Sequence, residues 1–177
     1  MAKILALAGS NSSTSINYKL VRYTTSLIEN HEVALLDMAN YPFKMYNEDT
    51  EKKEGYSNSL VELKNDIYHS KGIILSVNEH NGSISAYFKN VLDWLSRLER
   101  KFMENSKVLA MSTSPGKRGG IGAMEYINGI LPRFGAEMVS TYSLPSFHEN
   151  FDVDRGIVNT DLAKAHREAL DTFLNSF

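Results

Sequence analysis

KILALAGSNSSTSIN, residues 3–17, decides the architecture of this chain. Ile4–Ala8 is an unbroken apolar run, the length of a strand covered on both faces. It ends at Gly9. From there to Asn17 every residue except Ile16 is small or carries a short polar side chain, and none is charged. An amphipathic stretch follows, with Leu20, Val21, Leu27 and Ile28 consistent with a helix that starts near Ile16. Strand, polar turn and helix open a β-α unit. Whether the turn is a loose linker or a cradle for an anion depends on where the rest of the chain puts it.

The alternation continues. Strands are expected at Lys3–Ala8, Glu32–Met38, Gly72–Val77, Lys107–Ser112 and Glu137–Tyr142. Helical spacing marks Ser59–Lys71, Ile84–Leu98, Gly120–Phe134 and Thr160–Phe177, with Pro132 ending or bending the third of these. Residues 47–56 are charged and read as a solvated loop or an irregular helix entry. Right-handed β-α-β connections with helices on both faces give a doubly wound parallel sheet, expected in the order 2-1-3-4-5. Ligands bind such sheets outside the carboxyl ends of the strands, where the order reverses between strands 1 and 3. The loops after Ala8, Val77 and Ser112 are therefore the informative ones.

Composition narrows the function. The 177 residues suffice for one domain with a sizeable core, and 42% hydrophobic with 23% charged residues argues against disorder. A net charge of −2 gives no basic excess for a nucleic acid or a membrane surface. Absence of cysteine removes disulfides, thiolate catalysis and thiolate-bound metals, and suits a cytoplasmic protein. The five histidines show no metal-binding spacing, and the N-terminal segment is too short for a secretory signal. No apolar run is long enough to span a bilayer.

Loop one, GSNSSTSIN, leads into a helix N-terminus, where free N–H groups and the positive dipole end favour an anion. Ser10, Ser12, Ser13, Thr14, Ser15 and Asn17 add neutral donors, and Ser15 also suits a helix N-cap. Gly9 is its only glycine and it holds no lysine, so neither the dinucleotide fingerprint nor the P-loop fits. A phosphate monoester, as in FMN, matches better than a triphosphate with magnesium. Loop two runs from Asn78 through Glu79, His80, Asn81 and Gly82 to Ser83, a candidate N-cap for the helix that follows. Glu79 and His80 are adjacent on a loop and do not read as an acid–base pair; the polar edges suit a flat ligand. Loop three, STSPGKRGGIGA (residues 112–123), is glycine-rich and carries the basic pair Lys117 and Arg118.

Together the three loops resemble the NAD(P)H-dependent FMN reductases, a flavodoxin-like family that includes chromate, quinone and azo-dye reductases. Gly9, Ser10, Ser15 and Asn17 fall on a first motif, roughly G-S-x-R-x-x-S-x-N. Glu79, Asn81, Gly82, Ser83, Lys89, Asn90, Asp93 and Trp94 fall on a more specific second one, roughly P-E-Y-N-G-S-x-P-G-x-L-K-N-x-x-D-W. Ser114, Gly116, Gly119 and Gly120 fall on the third, and LPSFHENFD (144–152) resembles the family's exit from strand 5. Three departures stand out: Ser12 for the family's Arg, Asn78 for its Pro and His80 for its Tyr.

The resemblance implies a single flavodoxin-like FMN-binding domain over residues 1–177, a three-layer α/β/α sandwich. It implies FMN bound non-covalently, with the phosphate on Ser10, Ser12, Ser15, Ile16 and Asn17. The ring would lie between Asn78, Glu79, His80, Asn81 and Ser83 on one side and Thr113, Ser114, Pro115 and Gly116 on the other. Lys117 and Arg118 would meet NADPH or NADH. Hydride would pass to the flavin and electrons onward to a small-molecule acceptor, two half-reactions that predict ping-pong kinetics, with the chemistry carried by the cofactor. A flavodoxin-like electron carrier and a non-catalytic flavin-binding sensor share the cofactor and stay open as alternatives. The family implies a homodimer or homotetramer, for which the helix bearing Tyr87, Phe88 and Trp94 is a candidate face; the same residues also suit the protomer's own core.

Overall fold

The computed structural model describes residues 1–177. Strands β1 (Lys3–Ala8), β2 (Glu32–Leu36), β3 (Gly72–Val77), β4 (Lys107–Thr113) and β5 (Glu137–Leu144) form one parallel sheet in the order β2-β1-β3-β4-β5, as expected. Helices α1 (Ile16–Ser26), α2 (Glu48–Glu54), α3 (Asn58–Tyr68), α4 (Ala86–Leu98), α5 (Ile121–Ile130), the single-turn α6 (Phe147–Asn150) and α7 (Thr160–Leu174) complete the flavodoxin-like α/β fold. The alternation inside the apolar strands feeds two cores. Leu5, Leu7, Ile73 and Leu75 pack with α3, α4 and α5, whereas Ile4, Ala6, Ile74 and Leu109 pack with α1 and α7. The register Ala8↔Ser76 and Val77↔Ser112 brings the carboxyl ends of β1, β3 and β4 to one edge. No helix is long and apolar enough to cross a membrane.

Several boundaries differ from expectation, each for a local reason. β2 stops at Leu36 because the Asp37 carboxylate accepts from Ala39 N and starts a 3-10 turn at Met38–Asn40. Residues 47–56 contain a proper helix, α2, with Asn47 as N-cap and a left-handed Gly55 as stop. The long third helix ends at Ile130, and Pro132 sits in a 3-10 turn over Leu131–Phe134. Ser83 is not the N-cap of α4. It pairs with His80 in a two-residue antiparallel ribbon, and Ser85 is the cap, accepting from Phe88 N.

The aromatic residues of α4 are spent inside the protomer. Phe88 and Trp94 are only 4% and 5% exposed, which decides for the core. The Tyr87 hydroxyl reaches the carbonyls of Met38 and Tyr41, at 3.1 and 2.8 Å. Trp94 Nε1 and Asn90 Nδ2 both donate to Lys44 O, and Asn90 Oδ1 accepts from Tyr46 N. These bonds strap residues 38–46 along α4. Glu51 on α2 extends the strap: it accepts from Tyr46, Tyr56 and Arg97, and the Arg97 guanidinium holds its carboxyl down to about 2.

On the opposite face α7 buries His166, which is 1% exposed. Thr24 Oγ1 lies within hydrogen-bond distance of both Leu20 O, at 2.9 Å, and His166 Nε2, at 2.8 Å. Burial between Tyr23 and Tyr142, and then the charge of Arg167, pull the His166 pKa down to about 4. The unfolded chain takes up this proton near pH 6.5 and the native state resists until about 4, so stability falls as pH drops through that window. Between pH 7 and 4.5 this one group is expected to remove about 2 to 3 kcal/mol. Urea unfolding at the two pH values should show that loss, and His166→Gln should flatten it.

Candidate functional site

Loop one starts at a position only glycine fits. A Cβ on Gly9 would lie 2.7 Å from the Phe88 ring. Gly9 N donates to Ser76 O, and Ser85 Oγ donates to Gly9 O. Beyond it Ser10 is buried, while Asn11, Ser12, Ser13 and Thr14 are exposed. Ser15 caps α1, its Oγ accepting from Tyr18 N at 3.2 Å. The N–H groups of Ser13, Ile16 and Asn17 find no acceptor in the protein, and the first turn of α1 has no acidic residue. Three free N–H groups, exposed hydroxyls and an unneutralised dipole end are the features that an anion cradle requires.

Asn17 turns inward from this loop. It is 1% exposed, accepts from Ser76 Oγ at 2.7 Å and Thr113 N at 3.0 Å, and donates from Nδ2 to Thr113 O at 3.1 Å. One side chain thus ties loop one to β3 and to the start of loop three. Its carboxamide holds the cradle in place, and its backbone N–H belongs to the cradle.

In loop two Asn81 and Gly82 have φ of 52° and 76°, two consecutive left-handed residues that close the ribbon. Glu79 and His80 diverge. His80 is exposed, whereas Glu79 Oε2 accepts from Gly122 N at 2.6 Å and Ala123 N at 3.2 Å. The N-cap of α5 is Gly120, which has no side chain, so Glu79 supplies the cap from a distant loop. The dipole end of α5 is therefore neutralised while that of α1 is open. Glu79→Ala should cost about 1 to 2 kcal/mol and lower the melting temperature by several degrees. A thermal melt checks this, and Glu79→Gln, which keeps one acceptor oxygen, should recover part of the loss. Asn78 is half-buried, and its Oδ1 is sealed from water without a partner.

Loop three is held from behind. Thr113 Oγ1 donates to Leu144 O, so its hydroxyl faces β5. Phe147 N donates to Ser114 O and Ser146 N to Gly116 O. The Gly119 carbonyl accepts from Ser112 Oγ at 2.8 Å and Ser143 Oγ at 2.9 Å. Pro115, Gly116, Lys117 and Arg118 are exposed, and neither basic side chain enters a salt bridge. The clamp by Ser146 and Phe147 and the Glu79 cap are contributions that sequence reasoning did not assign. Gly120 at a helix start was the available signal for the second, since a glycine N-cap leaves N–H groups for some other side chain.

A flavodoxin-like sheet with a polar helix start carrying free N–H groups after β1 and a glycine-rich loop after β4 is the arrangement in which doubly wound sheets take ligands, at the β1–β3 switch point. Residues 2–149 match the NADPH-dependent FMN reductase family, and the chain belongs to it. Among characterised relatives, the quinone reductase of Escherichia coli K12 is 29% identical over 73% of this chain and 69% of its own. An uncharacterized Mycoplasma pneumoniae protein is 27% identical over 92% of this chain and 97% of its own. Among solved structures, the flavoenzyme NAD(P)H:(acceptor) oxidoreductase FerB of Paracoccus denitrificans superposes with a TM-score of 0.79 at 25% identity, covering 99% of this chain and 96% of that one. Membership makes the chain an FMN-dependent NAD(P)H oxidoreductase.

Proposed function

We propose that this chain holds FMN non-covalently on the carboxyl edge of β1, β3 and β4 and links NADPH or NADH to a small-molecule acceptor: a quinone, a free flavin, an azo compound or a metal oxyanion. The observation that carries the reading is the open N-terminus of α1, with free N–H groups at Ser13, Ile16 and Asn17, beside loop three. These groups and the hydroxyls of Ser10, Ser12 and Ser15 would hold the phosphate. Asn78, Asn81, Ser83 and the exposed backbone of Ser114–Gly116 would border the ring, and Lys117 and Arg118, free of carboxylates, would meet the dinucleotide. Flavin, when bound there, would supply the two-electron chemistry that connects the nicotinamide to the acceptor. The protein binds, orients and shields; no side chain is assigned as general acid. A homodimer or homotetramer is the proposed assembly, with Phe88 and Trp94 of α4 excluded from its interface by their burial.

Adding FMN to the purified protein and then NADPH or NADH without oxygen tests the reading. Yellow protein that bleaches, with parallel double-reciprocal plots against an acceptor, is expected. A colourless protein overturns FMN binding, and yellow protein that does not bleach favours the sensor alternative. Loop one also makes a distinct prediction. With Ser12 in place of the family's Arg, FMN affinity should depend weakly on salt, whereas Ser12→Arg should tighten it a few-fold and make it salt-sensitive. Titrations at low and high ionic strength read both effects.

A further inference from the structure

Asn78 is the anomaly of the site. Several polar side chains of the three loops and their strands have protein partners: Ser76 Oγ donates to Asn17, Thr113 Oγ1 to Leu144 O, Ser85 Oγ to Gly9 O, and Glu79 caps α5. Asn78 Oδ1 alone in the three loops is buried with no partner. The only other such atom is Asn128 Oδ1, on α5 and outside the loops. A buried acceptor without a donor is desolvated without compensation, and native structures retain such atoms where something else completes them. No donor of the chain reaches this oxygen, and an N–H supplied from outside the chain would complete it.

A carboxamide is an acceptor and a donor side by side. Its complement is a ring edge carrying an N–H beside a carbonyl, which is the imide of the oxidised flavin pyrimidine. Its single N–H lies between two carbonyl groups. We propose that the Asn78 carboxamide reads this imide edge, Oδ1 accepting the ring N–H and Nδ2 donating to a flanking carbonyl oxygen. The inference rests on the FMN reading and assigns within it a recognition element that the proline at this place in the family motif cannot supply, since proline has neither group. Because pairing in both directions is needed, Asn78 selects for an intact imide, and an alkylated imide nitrogen breaks the pair.

The experiment uses FMN and 3-methyl-FMN, whose imide nitrogen is methylated, with dissociation constants read from flavin fluorescence quenching in wild type and Asn78→Leu. Wild type is expected to prefer FMN by about tenfold or more. Asn78→Leu, close in shape and without polar atoms, is expected to bind FMN about tenfold more weakly and to lose the preference between the two flavins. The cofactor-free variant should melt no lower than wild type, since it removes an unpaired buried oxygen rather than a bond. FMN bound equally by both proteins, or a preference that survives in the variant, would overturn the role of Asn78. Absence of FMN binding by wild type would instead overturn the flavin reading, and the Asn78 assignment with it.

Discussion

Asn17→Ala is expected to destabilise the fold by about 3 kcal/mol and to weaken FMN binding by at least about tenfold. The side chain makes three buried hydrogen bonds, two of them to the backbone of Thr113, 96 residues away in sequence. Truncation strands the N–H and C=O of Thr113, which cannot reorient within β4, and leaves a hole where a carboxamide was. The Ser76 hydroxyl can rotate to another acceptor, so the backbone pair dominates the loss. The effect on FMN follows from position. Asn17 holds the first turn of α1 against loop three, and its removal frees the cradle to move. Urea unfolding reads the stability and fluorescence titration reads the affinity. A destabilised variant with an unchanged FMN dissociation constant would show that the cradle does not carry the phosphate.

Gly119→Ala should cost about 3 kcal/mol or more, whereas Gly116→Ala, three residues earlier, should leave stability within about 0.5 kcal/mol. Gly119 has a φ of 61° and lies against β5. A Cβ there would collide with Ser143 Oγ and stand 3.1 Å from the Leu144 carbonyl, and a left-handed alanine adds about 1 kcal/mol. Since Ser143 and Ser112 both donate to the Gly119 carbonyl, relieving the clash breaks those bonds as well. Gly116 lacks such neighbours: its Cβ would meet only Ser114 Oγ, at 3.9 Å. If the exposed backbone of loop three lies against the flavin, the Gly116 methyl group should weaken FMN while the melting temperature stays put. The two variants thereby separate a glycine needed by the fold from one needed by the ligand.

Much of the fold was legible because its strands are nearly pure apolar runs. β1 and β3 begin and end at the expected residues, since Ile4–Ala8 and Gly72–Val77 pass abruptly into polar loops. Edges set by side-chain competition were not. Asp37 ended β2 early, and Ser85 rather than Ser83 capped α4 because the Asn81–Gly82 turn folded Ser83 back onto His80. The aromatic residues of α4 suited two roles in one dimension, and burial under the 38–46 strap decided for the core. In the site, residue types and spacing pointed to the right loops. They could not tell which polar atoms remain free for a ligand after the protein has used the others.

That division has a physical origin. Period, turn chemistry and the apolar runs are local, and they alone determined a parallel sheet with three polar loops at its carboxyl edge and a serine-rich turn after its first strand. Hydrogen-bond satisfaction is a property of the whole fold. Only the tertiary structure decided that Asn17 clamps loop three, that Glu79 neutralises α5 while α1 stays open, and that Asn78, alone in the three loops, keeps a buried oxygen unpaired. Each of these depends on a partner brought close by chain topology, so no window of neighbouring residues contains it.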